Sequence, residues 1–165
     1  MESAVSIRGW ARVRLQHPDG TETVQTVGNL VTQYGDQFYG ERAAGVGSHN
    51  APSGMRLGTG TTAAAKTGDG AAIVTYLSTS SKALTGTPAS ALESGKRRIT
   101  YSVTWAAGDA TNSAISEAVI TNESTVTNVA GTAANTISRI VFSPAINKGA
   151  DDALLIDWFH DLLGA

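Results

Sequence analysis

Arg98-Ile99-Thr100-Tyr101-Ser102-Val103-Thr104-Trp105 sets Ile99, Tyr101, Val103 and Trp105 on one side of an extended chain, with hydroxyl-bearing residues on the other. That period of two marks a strand with one face in a core and one in water. Within the stretch 95–158 the alternation returns less strictly at residues 115–120 and 137–142. A link, Ser143-Pro144-Ala145-Ile146-Asn147-Lys148-Gly149, then leads to Leu154-Leu155-Ile156-Asp157-Trp158, which reads as another strand. The chain invests its order in β surface and its polarity in Ser, Thr and Asn, and no catalytic motif interrupts these segments.

Toward the N-terminus the same pattern governs. Val5, Ile7, Ala11, Val13 and Leu15 fall on one face, and Arg8, Trp10, Arg12 and Arg14 on the other. His17-Pro18-Asp19-Gly20 supplies turn chemistry and residues 22–27 return as the second arm of a hairpin. Asn29 then caps a helix expected over about residues 30–44, whose face carries Leu30, Tyr34 and Phe38, with Gly45 as its stop. Gly35 and Gly40 each cost that helix about 1 kcal/mol relative to alanine, so it should depend on docking over the β core. Loops are expected at 45–54, 58–70 and 85–95, with short strands at Met55-Arg56-Leu57 and 81–84 and a helical or extended piece at 71–77. The Gly, Thr and Ala of residues 58–70 offer too little apolar surface to order alone and should order against a neighbour or stay a long loop.

Size and composition bound the rest. A chain of 165 residues is read as one domain, residues 1–165. Its net charge of -2 implies neither a polyanionic nor an acidic partner overall, so any partner must be inferred locally. With no cysteine there is no disulfide framework, thiolate nucleophile or Cys-based zinc site, which fits folding in a reducing cytoplasm. Met1-Glu2-Ser3-Ala4-Val5 lacks a basic region followed by an apolar one, and no apolar run reaches the roughly 18 residues of a membrane span, so neither secretion nor membrane insertion is expected. Low charge with abundant Ala, Gly, Thr and Ser suits a surface covered by neighbours.

Each chemical motif meets a plainer reading. Gly58-Thr59-Gly60-Thr61-Thr62-Ala63 with Lys66-Thr67 resembles a phosphate loop, but Ala65 stands where a Walker loop needs glycine and the strands look antiparallel. His17, His49 and His160 lack the spacing of a local metal site, although Asp157, His160 and Asp161 could gather near the C-terminus. No nucleophile elbow is present, and Asp151-Asp152 reads as a solvated turn. Asn122-Glu123-Ser124 matches a glycosylation sequon but reads as a polar turn. The stripe Arg8, Arg12 and Arg14 around Trp10, and the cluster Lys96-Arg97-Arg98, read first as the solvated outward face that an alternating strand must have, next as a contact for an acidic protein surface, and least as a nucleic-acid grip.

Four landmarks in order carry a resemblance: Gly28-Asn29-Leu30-Val31-Thr32-Gln33-Tyr34-Gly35, Met55-Arg56-Leu57-Gly58-Thr59-Gly60-Thr61-Thr62, Ile115-Ser116-Glu117-Ala118, and Arg139-Ile140-Val141-Phe142-Ser143-Pro144-Ala145-Ile146-Asn147-Lys148-Gly149. Together they resemble small structural proteins of tailed bacteriophages, and within that group a head decoration, or cement, protein. The resemblance implies a β-sandwich or jelly-roll trimer seated on a capsid lattice, made in the bacterial cytoplasm. It implies the major capsid protein as partner, with no enzyme activity, cofactor, membrane or specific nucleic acid. A phage tail, collar or fibre component is the alternative, followed by a carbohydrate-binding module using Trp10, Trp105 or Trp158.

The fold expected is therefore mainly β, an antiparallel two-sheet sandwich of jelly-roll type with one short helix packed on it. Its expected core holds Val5, Ile7, Val13, Leu30, Tyr34, Phe38, Ile99, Tyr101, Val103, Ile140 and Ile156. Candidate interface residues are Arg8, Trp10, Arg12, Met55 and Arg56. Phe159, Leu162 and Leu163 join them on a closing segment read as an extra contact arm against a sister subunit.

Overall fold

The computed structural model describes residues 5–123 and 129–164, without the side chain of Val5. Strands make up 51% of the chain. They run in the order β1 (Val5–Gln16), β2 (Glu22–Val31), helix α1 (Gln33–Ala44), β3 (Gly54–Gly58), β4 (Lys82–Ala83), β5 (Ala89–Glu93), β6 (Lys96–Trp105), β7 (Asn112–Thr121), β8 (Thr136–Lys148) and β9 (Ala153–Gly164). All pair antiparallel in one nine-stranded sheet, β4-β3-β7-β8-β2-β1-β9-β6-β5, curled into a half-barrel.

The expected two-sheet sandwich thus takes the form of one continuous sheet, and β2 shows how. Its residues up to Asn29 pair with β1, whereas Leu30 and Val31 pair with Arg139 and Ser138 of β8, so one strand serves both halves. At the opposite corner Leu84 N donates to Ser53 O at 3.0 Å and Thr85 N to Ser102 O at 2.7 Å. Consecutive residues there tie together strands from the two ends of the sheet order. The curled walls enclose Val13, Leu15, Tyr101, Val103, Trp105, Ile115, Ile137, Ile140, Leu154, Ile156 and Trp158. Of the expected core, Phe38 is also buried, Tyr34 and Ile99 pack partly buried against it, Ile7 and Leu30 are half-buried, and Val5 lies outside the described side chains.

Several boundaries move. The helix begins at Gln33 because Thr32 is its cap, its hydroxyl accepting from Gly35 N; Leu30 and Val31 still belong to β2. Asn29, expected as the cap, is instead a strand residue. With its amide turned so that Oδ1 faces the indole, it accepts from the buried Trp158 Nε1. Gly35 is the docking contact of the helix, since a Cβ there would collide with the Ile137 carbonyl oxygen. Gly45 ends the helix in the left-handed region at φ 68°.

The link at 143–149 is mostly strand: β8 runs to Lys148, and Pro144 sits at a register shift between the pairs Ile115–Ile146 and Glu117–Val141. A bulge tolerates the missing amide hydrogen there. The loop at 85–95 contains β5, exposed along its whole length, so no alternation could announce it. The C-terminal segment is no free arm, because β9 continues through Gly164 between β1 and β6.

Candidate functional site

Strands β1, β9 and β6 lie side by side, and their register composes the outer face of the sheet. One rung holds Arg8, Asp161 and Arg98, the next Trp10, Phe159 and Thr100, the next Arg12, Asp157 and Ser102. Trp10 and Phe159 stack with ring centroids 4.0 Å apart, and the Arg98 guanidinium lies 5.4 Å from each centroid. Arg98 grips Asp161 with two bonds, Nε to Oδ1 at 2.6 Å and Nη2 to Oδ2 at 2.9 Å. That fork holds the Asp161 carboxyl below the usual carboxylate range and raises the Arg98 guanidinium. Arg14 Nη2 donates to Asp157 Oδ2 at 2.8 Å and Ser102 Oγ to Asp157 Oδ1 at 2.7 Å.

Both carboxylates of these rungs are therefore spent, on Arg98 and Arg14. Arg8 and Arg12 are exposed and make no ion pair among the described residues. The result is an aromatic pair flanked above and below by uncompensated arginines on a sheet face that α1 does not cover; the helix sits on the inner side, with Tyr39 against Tyr101 and His160.

The structure separates the sequence candidates into three places. Arg8, Trp10, Arg12, Phe159 and Leu163 share the outer face, Leu163 beside Ser6. Leu162 faces inward and lines a cleft beneath α1. Met55 and Arg56 are corrected: both are 0% exposed, because β3 is paired on both sides and covered by residues 59–81. Arg56 is committed to Glu123, Nη1 to Oε2 at 2.8 Å.

Residues 58–77 order within the chain, on a signal that composition does not carry. The Glu117 carboxylate, wholly buried, accepts from Gly60 N at 2.9 Å, Val74 N at 3.1 Å and Thr75 N at 2.8 Å. It also accepts from Arg139 Nε at 3.1 Å and Nη2 at 2.7 Å, while Arg139 Nη1 donates to Gly70 O at 3.3 Å. A Cβ at Gly58 or at Gly60 would lie 2.5 Å from Glu117 Oε1, so glycine lets the loop close over the carboxylate. What resembled a phosphate loop is thus a lid whose amides already hold an internal anion.

The remaining candidates are structural. His160 points into the core with Nδ1 2.6 Å from Tyr39 Oη, and burial pushes its pKa down to about 3. Asp157 and Asp161 lie on the opposite face of the same strand, so the three do not converge, and among the described residues no His, Cys, Asp and Glu cluster suits a metal ion. His17 Nδ1 lies 2.9 Å from Asp152 Oδ1, whose Oδ2 accepts from Gly149 N, so that aspartate fastens two turns together. His49 bridges Glu41 and Tyr34, and Tyr34 in turn accepts from Asn122 Nδ2 at 2.6 Å. Asn122 is accordingly buried, and Ser124 of that sequon lies outside the described residues. Trp105 and Trp158 are 0% exposed, with the Trp105 indole donating to Ser80 O at 2.7 Å, so of the three tryptophans only Trp10 reaches the surface. No described helix is long and apolar enough to cross a membrane.

Compared with known proteins, the chain matches no family model, no curated protein and no solved structure.

Proposed function

We propose that this chain is a structural virion protein that binds the outer surface of a bacteriophage capsid and stabilises the head by bridging major capsid subunits. The observation that carries the reading is the uncovered outer face, where Arg8 and Arg12 flank the Trp10–Phe159 stack and neither makes an ion pair among the described residues. Aromatic and arginine side chains are the residues that most often dominate binding energy at protein interfaces. An acidic patch on a capsid subunit would meet both arginines while an apolar side chain covers the ring pair.

The order of the four landmarks along the chain, resembling tailed-phage structural proteins, supplies the setting. The histidines, each engaged in bonds that hold the fold, fit a role in shape and adhesion rather than turnover. Assembly as a trimer would present three such faces at once, converting later contacts into intramolecular ones and multiplying a modest single-site affinity. Placement in a tail, collar or fibre would use the same face and differ in copy number, a few per particle against hundreds.

Co-sedimentation of the purified protein with phage heads that lack it tests the reading. The wild type should pellet with the heads, and Arg12→Glu should not. Equal pelleting of both, or none of either, would overturn it.

A further inference from the structure

Helix α1 does not close flush against the sheet. Between it and the ends of β1, β6 and β9 lies an open cleft of about 1110 Å³, floored by Ile7, Phe38, Ile99 and Leu162 and by the rings of Tyr39 and Tyr101. That is ample for a drug-sized apolar body. Charge on the rim is one-sided. Lys66, Arg42 and Arg97 stand against one carboxylate, Asp36, which Lys66 already holds at 2.6 Å. Arg42 donates to His49 O, and the exposed Arg97 makes no ion pair among the described residues.

Gly40 supplies an independent argument. The two interior glycines of α1 are not alike: Gly35 is forced by the Ile137 carbonyl, whereas a Cβ at Gly40 would meet nothing within 4 Å. Its backbone is helical and a Cβ has open space there, so alanine is sterically admissible, and the helix gives up stability by lacking it. Gly40 lines the cleft. Its lack of a side chain leaves room in the cleft that packing within the chain does not require.

We infer that this cleft is a binding site for a small amphipathic anion, an apolar body ended by a single carboxylate. The apolar body lies over Ile7, Ile99 and Leu162, and the carboxylate faces Arg97 at the rim. A cationic amphiphile is disfavoured, because the one rim carboxylate among the described residues is neutralised in place and the remaining charge is repulsive. The site is on the other side of the sheet from Arg8, Trp10 and Arg12, so it stands or falls independently of capsid binding.

Dodecanoate is the probe and dodecyltrimethylammonium the charge-reversed control, both titrated into the full chain by calorimetry, with methyl chemical shifts as a second readout. Dodecanoate should bind once per chain and shift Ile7, Ile99 and Leu162, and the cation should bind at least tenfold more weakly. Gly40→Leu should fill the cleft and weaken dodecanoate at least tenfold while melting no lower than wild type, which separates occlusion from misfolding. Arg97→Gln should weaken it several-fold. Absence of saturable dodecanoate binding, equal affinity for the two amphiphiles, or undiminished binding to a folded Gly40→Leu would each overturn the inference.

Discussion

Replacing Glu117 with glutamine preserves shape and removes one charge from a wholly buried, heavily bonded site. The wild-type carboxylate neutralises Arg139, both side chains being 0% exposed, and accepts the amides of Gly60, Val74 and Thr75. Glutamine keeps one accepting oxygen but presents an NH2 group where a second acceptor stood, so donors face donors. With the NH2 toward Arg139, that guanidinium keeps only the Gly70 carbonyl among these partners, at 3.3 Å; with the NH2 toward the loop, the Gly60 and Thr75 amides lose their acceptor instead. Breaking a buried ion pair by removing one partner costs about 3–5 kcal/mol, because the surviving charge stays desolvated.

With a urea dependence of about 2 kcal/mol per molar for a chain of this size, the unfolding midpoint should fall by roughly 2 M. Limited proteolysis should then cut first within residues 58–77, whose anchor has been loosened. Adding Arg139→Met to Glu117→Gln removes the stranded charge and should recover most of the loss. A single variant within about 0.5 M of wild type would refute the reasoning, since the loop would then be held by something other than this carboxylate.

Three further outcomes follow from the same geometry. Gly35→Ala should destabilise the protein by about 1–3 kcal/mol in urea unfolding, because the added methyl meets the Ile137 carbonyl and α1 must shift off β8. His160, held neutral to about pH 3 by burial, takes up its proton only on unfolding at mildly acidic pH. Its pKa is depressed in the folded state, so stability should fall as pH drops below about 6.5, by about 1.4 kcal/mol per unit, and His160→Phe should flatten that slope between pH 6 and 4.5. Trp10→Ala should lower monomer stability by only about 0.5–1.5 kcal/mol, the worth of an aromatic pair, while weakening binding to phage heads by about 2 kcal/mol or more; equal losses would mark Trp10 as a packing residue.

Legibility in the sequence tracked how local the determining physics is. The hairpin at His17–Gly20 and the alternation in β6 depend on neighbours in sequence, and both stand in the structure as read, with Gly20 N bonded to His17 O. The arginine stripe was likewise legible, since a period of two dictates that Arg8, Trp10, Arg12 and Arg14 share a face. That Phe159 completes the site was half visible: its apolar character marked it, but only the β1–β9 register brings it beneath Trp10.

What stayed hidden depended on distant partners. Residues 58–77 look like a soft linker until Glu117 and Arg139, remote in sequence, are known to lie under them. Residues 115–121 in β7 are buried on both faces, so their alternation is weak for the same reason that their burial is high. Arg56 reads as a surface cation because arginine usually is one, and partners remote in sequence, Glu123 and Ser81 among them, hold it inside. The edge strand β5 is exposed on both faces and carries no pattern at all.

The proposed capsid role is tested most directly by quantitative mass spectrometry of purified phage particles, read as copies of this chain relative to the major capsid protein. A capsid-bound bridging protein should be present in hundreds of copies per head. Its absence from the particle, or a handful of copies confined to the tail, would contradict the account.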